Sequence, residues 1–131
     1  MAGFNISMER INNDYSRVAD IDNEIITLKS KLYDEYELQK SICKDLSFAN
    51  AGLKYARKEC KKKKGLYKHG KIDDNEYSKY GENLKHWKDL IRTLTDAKRK
   101  SSQTINSLRS AIKSNEKLLT ARVDARHDWE T

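Results

Sequence analysis

The chain has 131 residues, of which 36% are charged and 37% hydrophobic, with a net charge of +7, five glycines and no proline. That length is one domain's worth, residues 1–131 as a single unit, and the proportions suit paired helices better than a large enclosed core. No run of 18 or more apolar residues occurs, and the amino terminus lacks the basic-then-apolar layout of a secretory signal. Both points argue against membrane insertion and export and give the cytoplasm as the expected compartment.

Taken in chain order, Asn5 or Ser7 can cap a first helix, whose apolar period continues through Met8, Ile11, Tyr15 and Val18 with one slip before Ile21. From there a seam repeats every 3.5 residues: Ile21, Ile25, Leu28, Leu32, Glu35, Gln39, Ile42, Leu46, Ala49, Leu53, Ala56, Cys60. An apolar position at that interval keeps one stripe of a helix against a partner helix, which is the grammar of a coiled coil. Asn50-Ala51-Gly52 is the weak point, because a glycine inside a helix costs about 1 kcal/mol relative to alanine. A break there would divide the helix and give three instead of two. Cys43 and Cys60 lie 17 residues apart on this helix. At about 1.5 Å per residue they are too distant to bond to each other. Cys60 reads as a small seam residue, whereas Cys43, beside the seam, can cross-link a second copy on oxidation.

A turn follows, with its own signature. Gly70 stands where a left-handed residue ends a helix, with Lys68 and His69 in the last turn, where the macrodipole favours positive charge. Next, Asp73 or Asp74 opens a second helix. Asp73 and Glu76 are spaced as a capping box, and Ile72 and Tyr77 as the hydrophobic staple around it. The expected helices are about residues 6–69 and 73–129, with the hairpin tip at 61–73. The second helix carries the seam Tyr77, Tyr80, Leu84, Trp87, Ile91, Leu94, Lys98, Ser101, Ile105, Leu108, Ile112, Asn115, Leu119. Folding the chain back so that partners sum to 140 places Leu53 opposite Trp87, Leu46 opposite Leu94, Gln39 opposite Ser101, Leu32 opposite Leu108 and Leu28 opposite Ile112. The turn residues, read independently, centre the reversal on residue 71. The fold class is therefore all-α, a long antiparallel two-helix coiled-coil hairpin.

Beside the second seam runs a flank of Leu90, Ala97, Thr104, Ala111, Leu118 and Ala125, where a two-stranded coil normally carries Glu or Lys. Either the first helix covers it, through Leu38, or it is a helix-docking face for a partner or a second copy. In the latter case two hairpins form a homodimeric four-helix bundle. Trp129 can anchor the acidic end of such a contact.

Catalysis needs convergent groups in a concave pocket, which two paired helices do not enclose. The glycines at 65 and 70 lack the Gly-Lys-Ser/Thr ending of a phosphate loop. His69, His86 and His127 have no metal-ligand spacing with one another or with the cysteines. No enzyme activity, metal, cofactor or small-molecule substrate is expected. The salient chemistry is charge: Lys54, Arg57, Lys58, Lys61, Lys62, Lys63, Lys64, Lys68 and Lys71 face only Glu59 over residues 54–71, a local balance of +8, while residues 1–37 sum to −4. A lysine-rich last turn can be simply a solvated face with dipole compensation. Four consecutive lysines with more on both sides exceed what capping needs, and they suit an anion-binding tip. Tyr55, Leu66 and Tyr67 interleave with these cations and can add stacking or apolar contact.

Three functional expectations follow. The first is a non-enzymatic interaction protein (adaptor, scaffold or inhibitor) whose basic tip takes an acidic protein partner. The second is a nucleic-acid-binding protein that contacts phosphates without reading sequence and is therefore salt-sensitive. The third comes from a resemblance: in size, charge and hairpin layout the chain is similar to the flagellar and type III export stalk proteins, long antiparallel coiled coils that sit beside an export ATPase. This implies a stalk-like part in a larger machine and assigns no residue a role.

Overall fold

The computed structural model describes the backbone of residues 2–130 and the side-chain surroundings of residues 16–123. Helix α1 runs Ala2–Lys68 and helix α2 Asp74–Glu130, and the two pack against each other as an antiparallel all-α hairpin. Helix α1 begins upstream of Asn5 and Ser7, so neither residue is its cap. Its early period through Met8, Ile11 and Tyr15 lies outside the described side chains, as do Ala125, His127 and Trp129.

The reversal is built from the residues whose chemistry requires it. Gly70 adopts a φ of 70°, the left-handed conformation that costs a residue with a Cβ. Around it the Lys71 N–H donates to the Leu66 carbonyl at 2.9 Å and the Gly70 N–H to the Tyr67 carbonyl at 3.0 Å. This pair of bonds is a Schellman motif, which satisfies carbonyls that the end of α1 would otherwise leave unpaired. On the other side the Glu76 N–H donates to Asp73 Oδ1 at 2.8 Å, making Asp73 the N-cap of α2. The Tyr67 hydroxyl donates to Asp74 Oδ1, and the Tyr67 ring stacks on Tyr77 with centroids 4.7 Å apart. One tyrosine thus fastens the last turn of α1 to the first turn of α2.

Contacts gather into two units, residues 1–36 with 103–131 and residues 37–102. In the first, Ile25, Leu28, Ile105 and Ile112 are buried. Each such side chain contributes about 1.5–3 kcal/mol when withdrawn from water. The polar seam residue Asn115 donates from Nδ2 to the Ala111 carbonyl of its own helix at 2.8 Å. At the margin, Lys29 Nζ lies 3.5 Å from Glu116 Oε1, and the Arg109 guanidinium lies 5.4 Å from the Tyr36 ring centroid. The ion pair is exposed and contributes at most about 1 kcal/mol.

In the second unit the buried seam residues of α1 are Ile42, Ala49 and Ala56, and α2 supplies Ser101. Here α1 is continuous through Asn50-Ala51-Gly52, as the two-helix reading expects, and the alternative of a third helix is not seen. The glycine at this position has a steric reason. Gly52 lies directly beneath the Trp87 indole, and a Cβ built at residue 52 would come within 2.6 Å of that ring. The glycine is a slot for the indole, so Trp87 sits over Gly52 and not only opposite Leu53. Phe48, one turn away, meets the same indole edge-on at 5.8 Å, and His86 does so at 5.9 Å.

Two further expectations shift by small steps. Gln39 Nε2 donates to the Ser102 hydroxyl at 2.8 Å, not to its neighbour Ser101. Ser101 is 3% exposed, and its hydroxyl has no hydrogen-bond partner among the described residues. Lys98, placed in the seam by its spacing, is exposed. Its ammonium stays hydrated at the end of a long stem, the usual behaviour of a lysine beside an apolar surface. Every other seam position from Ile21 to Leu119 is buried or half-buried.

Candidate functional site: a lysine surface on α1

The residues expected to bind anions lie on the last four turns of α1 and in the turn. Lys54, Arg57, Lys58, Lys61, Lys62, Lys64, Lys68 and Lys71 are exposed, while Lys63 is half-buried with its ammonium 5.2 Å from the Tyr80 ring centroid. None of the nine takes part in an ion pair among the described residues. Helix α2 behaves differently. Arg99 Nη2 lies 2.7 Å from Asp96 Oδ1 and Lys100 Nζ lies 3.7 Å from Oδ2. The hydrogen bond from Arg99 is the main reason that the Asp96 carboxyl is held below its ordinary range. Arg99 and Lys100 of α2 are thus answered by a carboxylate on their own helix, whereas the nine cations of residues 54–71 meet none among the described residues.

Counting by helical face instead of by consecutive residues enlarges the site. Lys40, Lys44, Lys54, Lys58, Lys61 and Lys62 recur at spacings that keep them on the solvent side of α1, opposite its seam, and all six are exposed. No acid shares that face between Lys40 and Lys62. Glu59 and Asp45 sit at the seam's margin. The face covers 23 positions, about 33 Å of helix at 1.5 Å per residue. Set into it are two aromatic rings, Phe48 at 71% exposure and Tyr55 at 66%. Of the apolar residues expected to interleave with the lysines, Tyr55 is open to solvent, Leu66 is half-buried, and Tyr67 is engaged in the turn.

Lys40, Lys44 and Phe48 were missed because charge was summed along the chain. The heptad positions outside the seam carry the signal that finds them.

The flank of α2 is uneven. Leu90 and Ala97, in the second unit, are half-buried; in the first unit Ala111 is half-buried while Thr104 and Leu118 are exposed, and Ala125 lies outside the described side chains. Leu38, the residue expected to cover it, is itself 51% exposed.

Two shallow hollows mark α2, one beside Asp73, Glu76 and Tyr80, the other beside Arg92, Asp96 and Arg99. Among the described residues no group of three or more His, Cys, Asp or Glu side chains could hold a metal, both Cys43 and Cys60 are free thiols, and no helix is long and apolar enough to cross a membrane. Comparison of the chain with protein-family models, with curated proteins and with solved structures finds no match. The chemistry of the lysine surface therefore has to carry any functional reading.

Proposed function

We propose that the chain is a non-enzymatic, cytoplasmic coiled-coil interaction protein that binds an acidic partner through the lysine surface at the turn end of α1. The coiled-coil part of the reading is supported by the 3.5-residue interval of the positions withdrawn from water. The binding part rests on one observation: the cations of residues 54–71 have no carboxylate partner in an ion pair among the described residues. Like charges packed this densely repel one another, and a polyanion relieves that repulsion while releasing its own counterions.

Affinity for polyphosphate, polyglutamate and an arbitrary duplex, measured across a range of salt, tests the proposal. Binding should weaken steeply as salt rises. Replacing Lys61, Lys62, Lys63 and Lys64 by Glu should abolish it with helicity intact. Absence of binding, or a response indifferent to salt, would refute the reading.

A second reading, sequence-blind nucleic-acid binding, is favoured by the two aromatic rings lying among the lysines. Phosphates satisfy the ammonium groups as well as carboxylates do, and bases additionally offer flat faces to rings.

A further inference from the structure

We infer that the acidic partner is single-stranded nucleic acid, laid along the outer face of α1 between Lys40 and Lys62 with bases stacked on Phe48 and Tyr55. This rests on the polyanion reading above and narrows it to one class of ligand.

Three properties of the face converge on that class. Its charge is of one sign and unanswered, which attracts any polyanion and confers no selectivity. Its rings, however, are among the most exposed large apolar side chains of the described residues, matched by Tyr33 at 65% nearer the start of the same helix. A phenyl group 71% exposed in the middle of a lysine face is only partly accounted for by its edge contact with Trp87, since the seam already buries the apolar stripe of this helix. Among the described residues Tyr55 has no ring or hydrogen-bond partner, and Phe48 meets Trp87 at one edge while most of its surface faces water.

The spacing discriminates among nucleic acids. Seven residues separate the rings, about 10 Å along the helix. Bases inside a duplex are stacked on one another about 3.4 Å apart and present no free face, so a duplex would gain nothing from either ring. A single strand can splay two bases onto rings at this distance while its phosphates follow the lysines. An anionic lipid surface fits less well. Interfacial helices sink a broad apolar face, and here the broad apolar face is committed to α2. An acidic peptide satisfies the ammonium groups through its carboxylates but covers the rings only where it also carries aromatic residues, whereas every nucleotide of a single strand brings both a phosphate and a flat base.

The experiment uses the full chain and a labelled oligothymidylate, with a duplex, polyphosphate, polyglutamate and anionic phosphatidylserine vesicles as parallel ligands. Oligothymidylate should bind more tightly than the duplex, with a log–log salt slope of about −4 if six lysines are engaged. The double variant Phe48→Leu/Tyr55→Leu should lose about tenfold or more for oligothymidylate and stay unchanged for polyphosphate. Because Phe48 touches Trp87, Tyr55→Leu alone serves as the second variant and should show the same selective loss, with Tyr55→Phe restoring full affinity.

Unchanged oligothymidylate affinity in the ring variants, with all polyanion binding still abolished by lysine reversal, would overturn this inference and leave the polyanion reading standing. Tighter binding to the duplex, or a ring-dependent preference for polyglutamate or vesicles, would also overturn it. Failure to bind any polyanion would remove both.

Discussion

The two contact units solve the same packing problem with opposite materials. In residues 1–36 with 103–131, the buried positions are Ile25, Leu28, Ile105 and Ile112, large aliphatic groups contributed by both helices. In residues 37–102, α1 contributes Ala49, Gly52 and Ala56 beside Ile42, and α2 answers with Trp87 and the half-buried rings of Tyr77 and Tyr80. The first unit is filled by side chains of similar size. The second sets large groups of one helix against near-bare backbone of the other. They should consequently fail in different ways, one when side chains are made smaller and the other when they are made larger.

Ile112→Ala should have the largest effect, about 2–4 kcal/mol of lost stability in chemical denaturation, because it opens a void that the surrounding aliphatic groups cannot fill. A loss below about 1 kcal/mol would mean that this unit is loosely packed. Gly52→Ala provides the converse test. Helix propensity alone predicts a gain of about 1 kcal/mol, whereas displacement of the Trp87 indole predicts a net loss of about 1–2 kcal/mol. Stabilisation by this substitution would contradict the slot, and adding Trp87→Leu to Gly52→Ala should recover the propensity gain.

Ser101→Ala tests the second unit's one buried hydroxyl. Since that group has no hydrogen-bond partner, removing it should stabilise the protein by about 0.5–1 kcal/mol. Ser102→Ala, which strips Gln39 of its acceptor, should destabilise by a similar amount.

The smallest effect concerns pH. The hydrogen bond to Asp74, followed by that residue's negative charge, raises the Tyr67 phenol above its ordinary value of about 10. The contribution is therefore fully present below the unfolded phenol's pKa and is lost as pH rises through the folded one. Alkaline titration followed by tyrosinate absorbance should find that Asp74→Asn brings the ionisation of Tyr67 back toward its ordinary range.

Much of the architecture was legible because helix pairing is periodic. Seam burial from Ile21 to Leu119, Lys98 excepted, follows from spacing, and Gly70, Asp73 and Glu76 mark the reversal through backbone chemistry that is local to a few residues. The failures were at the level of individual side chains. The purpose of Gly52 was not legible, because propensity marks it only as a weak point of a continuous helix, and the indole that occupies its missing Cβ lies 35 positions away in the sequence. Register by seam placed Gln39 against Ser101, whereas the hydrogen bond skips to Ser102, since the reach of an amide is set by its rotamer and not by the repeat. The lysine surface was legible only in part. Residues 54–71 stood out as a run, but Lys40, Lys44 and Phe48 belong to it by helical angle, which a running sum of charge ignores.

The compact turn has a consequence for how the chain reaches this structure. Only five residues separate the ends of α1 and α2, so closing that loop costs little entropy, and each pairing added outward from it closes only a short further segment. Folding should nucleate at the reversal, where the Tyr67–Tyr77 stack and the Gly70 motif form without distant contacts, and zip toward the termini. Stopped-flow measurements should then find that Gly70→Ala mainly slows refolding while Ile112→Ala mainly speeds unfolding. The opposite partition would locate the nucleus among the aliphatic residues instead.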